Sequence, residues 1–440
     1  MIYLFMYLSI ITFTFYSFKS FGLKIAGQNS NPIALFFLLH LFLISLPGIM
    51  IVASGDFETT LNYGSMSVSE EIIDYVSLSY FYSIIILWIF IFLSCLIFRG
   101  FNLKNEILLD EDSSSKIDTF LVFSTFFNFL YLFALFMMIG LNNIPVMHFF
   151  YGNLEEIQLL KAKLITGEIS KLPETINQIF RILIPLTCYI SFYKLISSSD
   201  SRIKFIFILS FLAAFIFYFY EFQRAPFFVF LSGIFFLYMF KYGLKLKILF
   251  LFPIIFLILT ILNGYYLGLP FDDFYLLIGK VLERIIIIQN VGFYYIVENI
   301  TPDLVYLKNG MILSSVIFDK LPESPDAIVM NMIYGYSPVN VNMNTYFLGQ
   351  AFAIAGTLGI IISPFIVWLQ LVFSLVLFKF LYSKSKIFFV PLSIIFYLYF
   401  FPVNQGFNTF LYLRNFIFFV FFSSIIYFFW FIITSPKKLK

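Results

Sequence analysis

The sequence predicts an all-α polytopic integral membrane protein: about 11 transmembrane helices with a large outer, periplasmic loop of short helices. Three observations carry this expectation. The 440 residues are 61% hydrophobic and only 12% charged, with mean hydropathy +0.96, whereas a soluble domain carries about 25% charged residues. Apolar runs close to the roughly 20 residues needed to cross a bilayer recur from end to end. The ~10-residue alternating segments of an outer-membrane barrel are absent.

Hydrophobic windows place spans at 2–18, 33–53, 80–98, 118–141, 178–197, 205–221, 226–241, 248–265, 348–375, 387–405 and 413–433. The first run has no basic stretch before it and no small-residue cleavage site, so it reads as a retained helix rather than a signal peptide. Its cations, Lys19 and Lys24, follow it, which puts the N-terminus outside. At the other end, Pro436 to Lys440 holds three lysines and no acid and reads as cytoplasmic. Counting spans back from that tail places fifteen of the twenty-one lysines on the inner side and 18 of the 24 acids on the outer side. The parity closes without forcing a span, giving a multi-pass membrane protein with its C-terminus in the cytoplasm.

Two outer segments are too long to be mere connectors. Residues 142–177 contain an acidic–basic stretch, Asn153 to Lys171, patterned as a surface helix. Residues 266–347 form the major outer loop, with proline turns at Pro302, Pro322 and Pro325, and are expected to form short helices covering a cavity. The whole chain, 1–440, reads as one membrane domain.

Arginine departs from the lysine pattern. Of six arginines, Arg181, Arg224, Arg284 and Arg414 fall on the outer side, against the positive-inside bias. A planar guanidinium fork grips phosphate oxygens in pairs, which an ammonium does not. This points to chemistry on a lipid-linked phosphate or pyrophosphate at the outer face. Arg224 sits in the tight turn Glu221-Phe222-Gln223-Arg224-Ala225-Pro226 between two spans. Lys280 and Arg284 share one helical face at i,i+4. Arg181 and Arg414 open spans, where the competing reading is an interfacial anchor. Candidate proton acceptors are Glu221, Asp272, Asp273 and His148. His40 lies inside the second span and reads as a helix–helix hydrogen-bonding residue.

Other chemistries find little support. Cys95 and Cys188 lie inside spans and make neither a disulfide framework nor a metal set. No P-loop, His-Glu-x-x-His or zinc spacing occurs, so no metal and no cofactor are expected. No basic, aromatic-interleaved stretch suggests nucleic acid. Asp56-Phe57-Glu58 is the one acidic tripeptide of the kind that polyprenyl-phosphate-sugar transferases carry in a first outer loop.

Two segments carry a family resemblance. Asn344-Thr345-Tyr346-Phe347-Leu348-Gly349-Gln350, followed by Ala351 to Gly359, is similar to the aromatic-rich helix entry after the major outer loop of bacterial O-antigen and capsule polymerases, the Wzy group. Gln223-Arg224-Ala225-Pro226-Phe227-Phe228 resembles the arginine-bearing outer turn of the same proteins. Phe235 and Tyr295 stand where the family's described arginine–glycine spacing has glycine. The resemblance implies joining of undecaprenyl-pyrophosphate-linked oligosaccharide repeats, with a flippase and a chain-length regulator as partners. For that chemistry the candidates read from the residues are Arg224, Arg284, Glu221 and Asp273 for catalysis, and Arg181, Lys280, Arg414 and His148 for the pyrophosphate or glycan. Alternatives are another lipid-linked-sugar glycosyltransferase, an O-antigen ligase or a lipid-oligosaccharide flippase. Residues 266–347 lack the histidine that the ligases use there. Ala351, Ala355 and Gly359 also form an i,i+4,i+8 stripe suited to close helix approach, with Pro364 positioned to kink the helix.

Overall fold

The computed structural model describes residues 2–20, 36–53, 68–97, 115–150, 154–169, 172–197, 200–222, 224–243, 258, 279, 288–311, 314–334, 344–401, 403 and 406–434. Among these residues every regular element is helical and none is a strand. The principal helices are α1 (Ile2–Ser20), a π-helix (Phe36–Ser45) continuing into α2 (Leu46–Ala53), α3 (Glu70–Ile97) and α4 (Ser115–Ile139). Two short helices follow, α5 (Pro145–Phe150) and α6 (Leu154–Thr166), then α7 (Glu174–Leu195), α8 (Ser201–Phe219) and α9 (Arg224–Tyr242). The major loop contributes α10 (Ile288–Asn299), a 3₁₀ segment (Leu304–Gly310), α11 (Ser314–Ile317) and α12 (Pro325–Tyr334). The chain closes with α13 (Tyr346–Tyr382), α14 (Lys386–Ile395) with a π-turn (Phe396–Phe400), α15 (Phe407–Leu411) and α16 (Arg414–Thr434).

Among the described residues, six helices are long and apolar enough to cross a membrane: Glu70–Ser94, Lys116–Ile139, Glu174–Leu195, Ser201–Phe219, Tyr346–Tyr382 and Arg414–Thr434. Four shorter apolar helices, Tyr3–Phe18, His40–Ala53, Pro226–Tyr242 and Lys386–Phe400, fall where further spans are expected. The chain is a membrane-embedded helical protein. The expected span 248–265 and the acidic tripeptide 56–58 lie outside the described residues.

α7 is the centre of one half of the bundle. Its residues Ile184 to Ser191 are all buried, and it packs against α4, α8, α9, α14 and α16. Tyr189 on α7 donates to the Phe230 carbonyl at 2.8 Å, and Gly233 makes room for it. A Cβ at that glycine would stand 2.1 Å from the phenol oxygen. α13 organises the other half, against α3, α10 and α15. Polar contacts hold one end of the first half together. Lys194 pairs with Asp118, Lys116 donates to the Thr434 carbonyl at 3.3 Å, and Lys241 donates to the Ile196 carbonyl.

α13 breaks ahead of Pro364. Pro364 keeps helical dihedrals, while the helix breaks at Ala355 (φ −141°, ψ 18°) and Gly356 (φ 61°, ψ −142°). That glycine conformation is closed to residues with a Cβ, so the glycine and not the proline marks the break. The small-residue stripe therefore does not line a continuous helix face. Gly359 lies against the Ala351 carbonyl across the break, where a Cβ would come within 1.9 Å. The Ala353 carbonyl accepts instead from the Asp303 amide at 2.8 Å, and Pro302 packs beside Gly356.

Part of the major loop is buried in the bundle. α10 is buried from Asn290 to Val297 and packed on α13, α3 and α12. Its amide groups enter the core with it: Asn290 donates to the Ser45 carbonyl at 2.9 Å and Asn344 to Gln289 at 2.5 Å.

Candidate functional site

The α8–α9 turn is built from strain and stacking. α8 ends at Tyr220, and the Phe222 amide bonds back to the Phe219 carbonyl at 2.8 Å. Phe222 takes φ 54°, a left-handed conformation that favours glycine, yet it is buried. Packing holds it there: its ring stacks on Phe149 of α5 at 4.8 Å, and Lys161 of α6 lies 5.4 Å from its centre. The Val146 amide of α5 donates to the Tyr220 carbonyl at 3.2 Å. The second outer segment thus clamps the turn that carries Glu221 and leads into α9.

Glu221 accepts a hydrogen bond from its neighbour Tyr220 at 2.7 Å. Burial, then the adjacent carboxylate, pushes the Tyr220 phenol above its ordinary range, so it remains a donor at neutral pH. Tyr131 of α4 lies within electrostatic range of both Glu221 and Glu174. Tyr131 donates to Asn177 at 3.0 Å and stacks on Phe180 at 4.1 Å.

Arg181 sits on the same face of α7. Glu174, Asn177 and Arg181 fall at i, i+3 and i+7, successive positions along one helical stripe. The guanidinium is exposed and lies 5.9 Å from the Phe400 ring, within electrostatic reach of Tyr218. Tyr218 stacks on Tyr399 with centroids 5.8 Å apart and ring planes 5° apart. The Tyr399 hydroxyl reaches the Pro226 carbonyl in the first turn of α9 at 3.5 Å. The π-turn of α14 therefore joins Arg181 to the start of α9. Among the described residues Arg181 makes no ion pair with a carboxylate.

Of the residues singled out from sequence, Arg181, Glu221 and the backbone of Arg224 lie at this end of the bundle. The Arg224 side chain, Lys280, Arg284, Asp272 and Asp273 lie outside the described set. His148 is on α5, whose neighbouring Phe149 reaches Phe222, and its Nε2 lies 2.7 Å from the Asn142 carbonyl. Arg414 opens α16, exposed, with its guanidinium 6.0 Å from the Phe418 ring one turn on. No described contact joins it to Arg181 or Glu221. His40 is buried, with Nε2 2.9 Å from the Tyr397 carbonyl, a helix–helix contact between the two π-helices. Among the described residues no three His, Cys, Asp or Glu side chains gather as a metal set.

Sequence reasoning missed Glu174, Asn177, Tyr131, Lys161, Tyr399 and Phe400. The i,i+3,i+7 spacing on α7 carried a signal for the first two. The others come from distant segments and needed the fold. No protein-family model, no curated protein and no solved structure matches the chain.

Proposed function

We propose that this chain is a polysaccharide polymerase of a bacterial cytoplasmic membrane. It spans the membrane eleven times, with its N-terminus outside and its C-terminus in the cytoplasm. It joins undecaprenyl-pyrophosphate-linked oligosaccharide repeat units into O-antigen or capsular polysaccharide at the outer face. The observation that carries this reading is the placement of an exposed Arg181, the Tyr220–Glu221 pair and the N-terminal turn of α9 at one end of the bundle.

Each part has a chemical task. A hydroxyl of one lipid-linked unit attacks the anomeric carbon of another. The new C–O bond forms as the bond to pyrophosphate breaks and the leaving group takes the electron pair. Arg181 and Arg224, with the N-terminus of α9, neutralise charge growing on the pyrophosphate. Arg284 and Lys280 serve a second phosphate from the major loop, and Arg414 anchors the lipid headgroup. Glu221, oriented by Tyr220, takes the hydroxyl proton; Asp273 and His148 are the other acceptors on this side. A single displacement inverts the anomeric centre, and the scheme uses no metal or cofactor. A flippase supplies the substrate, and a chain-length regulator is a fitting partner.

The test is polymer ladder formation in a strain deleted for the gene and complemented with wild type, Arg224→Ala or Arg224→Lys at matched membrane levels. Loss of the ladder in both variants, with single-repeat glycan retained, is the expected result. A complete ladder in the deleted strain, with no second polymerase encoded, refutes polymerisation by this chain.

A further inference from the structure

We propose that the groove between α1 and α3 holds a phospholipid whose headgroup carries a primary amine. The groove has a volume of about 520 Å³, with Phe5, Ile10 and Phe13 on one wall and Phe81, Ile85 and Trp88 on the other. Ser9 is its one polar lining residue. The positions recur at helical spacing on both walls, so the groove runs along the helices through the apolar part of the bundle. A gap left empty there forfeits dispersion contacts on both walls, and in a bilayer a hydrocarbon tail is the available filler.

The two ends of the groove differ. At one end, Trp88 donates from its indole nitrogen to Ser17 at 2.7 Å and packs on Phe13 at 4.7 Å, forming a fixed floor. At the other, Tyr3 donates to Asp74 at 2.5 Å across the two helices. Asp74, Phe81, Ile85 and Trp88 share one stripe of α3, so the carboxylate stands over the groove. The rise from Asp74 to Trp88 is about 21 Å, enough for the tail of a lipid from one leaflet of a ~30 Å core.

The mouth is acidic. Glu70 and Glu71 are exposed in the first turn of α3, and Glu298 of α10 accepts from the Ser69 amide and hydroxyl at 3.3 and 3.0 Å. With Asp74 that makes four carboxylates, none of them in an ion pair among the described residues. No lysine or arginine occurs in 2–18 or 70–97 to offset them. This field attracts an ammonium headgroup and repels an anionic lipid, including a polyprenyl pyrophosphate. The site is thus distinct from the one proposed for glycan transfer, and rests only on membrane embedding.

The test uses the purified full-length chain in mild detergent, titrated with phosphatidylethanolamine or phosphatidylglycerol of identical acyl chains and read by native mass spectrometry. Wild type should retain the ethanolamine lipid about fivefold more, the ratio that one charge–headgroup interaction supplies at a membrane surface. Glu71→Lys, at an exposed position, should reduce that ratio, and Ser9→Trp should remove retention of both lipids by filling the groove. Equal retention in wild type, or preference for the glycerol lipid, overturns the headgroup assignment. Copurification of a polyprenyl phosphate in its place overturns the occupant. Full retention in Ser9→Trp overturns the groove as its seat.

Discussion

Under the proposed function, Arg181 and the Tyr220–Glu221 pair are where single side chains would decide the chemistry. Arg181 lies against the Phe400 ring without a carboxylate partner among the described residues, so its charge remains available to an anion. Replacing Arg181 with alanine should slow polymerisation by about 10²-fold or more, the usual cost of losing one preorganised charge-stabilising donor. Lysine should restore it only in part, because the paired donor geometry is lost. Glycan transfer by purified protein on lipid-linked substrate checks both. Tyr220→Phe removes the hydrogen bond that orients Glu221. It should slow turnover by about tenfold, near the 1.5–3 kcal/mol typical of a hydrogen bond to a charged group. A rate equal to wild type in that variant removes the pair from the mechanism. Arg181 and Glu221 were both legible in the chain as charges beside apolar runs. Tyr399 and Phe400, more than 170 residues from Glu221, were not, because aromatic residues in such a composition look like lipid-facing bulk.

Among the elements, the broken α13 and the clamped α8–α9 turn carry the most unusual backbone. Gly356→Ala puts a Cβ at φ 61°, ψ −142°, against a conformation only glycine holds easily. The expected cost is about 1–3 kcal/mol, seen as a lower unfolding midpoint in detergent. Pro364→Ala should change that midpoint far less, since the proline sits within regular helix dihedrals. Gly233→Ala should also destabilise, since its new methyl would meet the Tyr189 ring. Helix periodicity revealed that these segments are helices. It did not reveal where α13 breaks, because a proline is a visible kink signal and a glycine in a small-residue stripe looks like a packing site. The break follows from what lies beside it: the Asp303 amide satisfies a carbonyl freed by the broken ladder.

For the molecule as a whole, the helix ends sort by charge. Lys194, Lys116 and Lys241 meet near Asp118, Ile196 and Thr434, while Glu174, Glu221 and the start of α9 gather at the opposite end of the same helices. Single cysteines at Thr175 and Ser201, at opposite ends of α7 and its connection to α8, should label with a membrane-impermeant maleimide from opposite sides. The background needs Cys95 replaced by serine, while Cys188 is buried and should stay unlabelled. Labelling of both sites from one side contradicts the alternating topology. Membrane embedding and most span positions were determined locally: the cost of leaving an apolar run in water, or a backbone amide unpaired in lipid, depends on the run itself. The burial of α10, the break in α13 and the meeting of Arg181 with Tyr218, Phe400 and the α9 turn were decided only by tertiary packing. In hydrocarbon every apolar face is equally at home against lipid, so hydropathy cannot choose which helices touch. Side-chain shape and a few polar contacts make that choice, and both act between segments far apart in the chain.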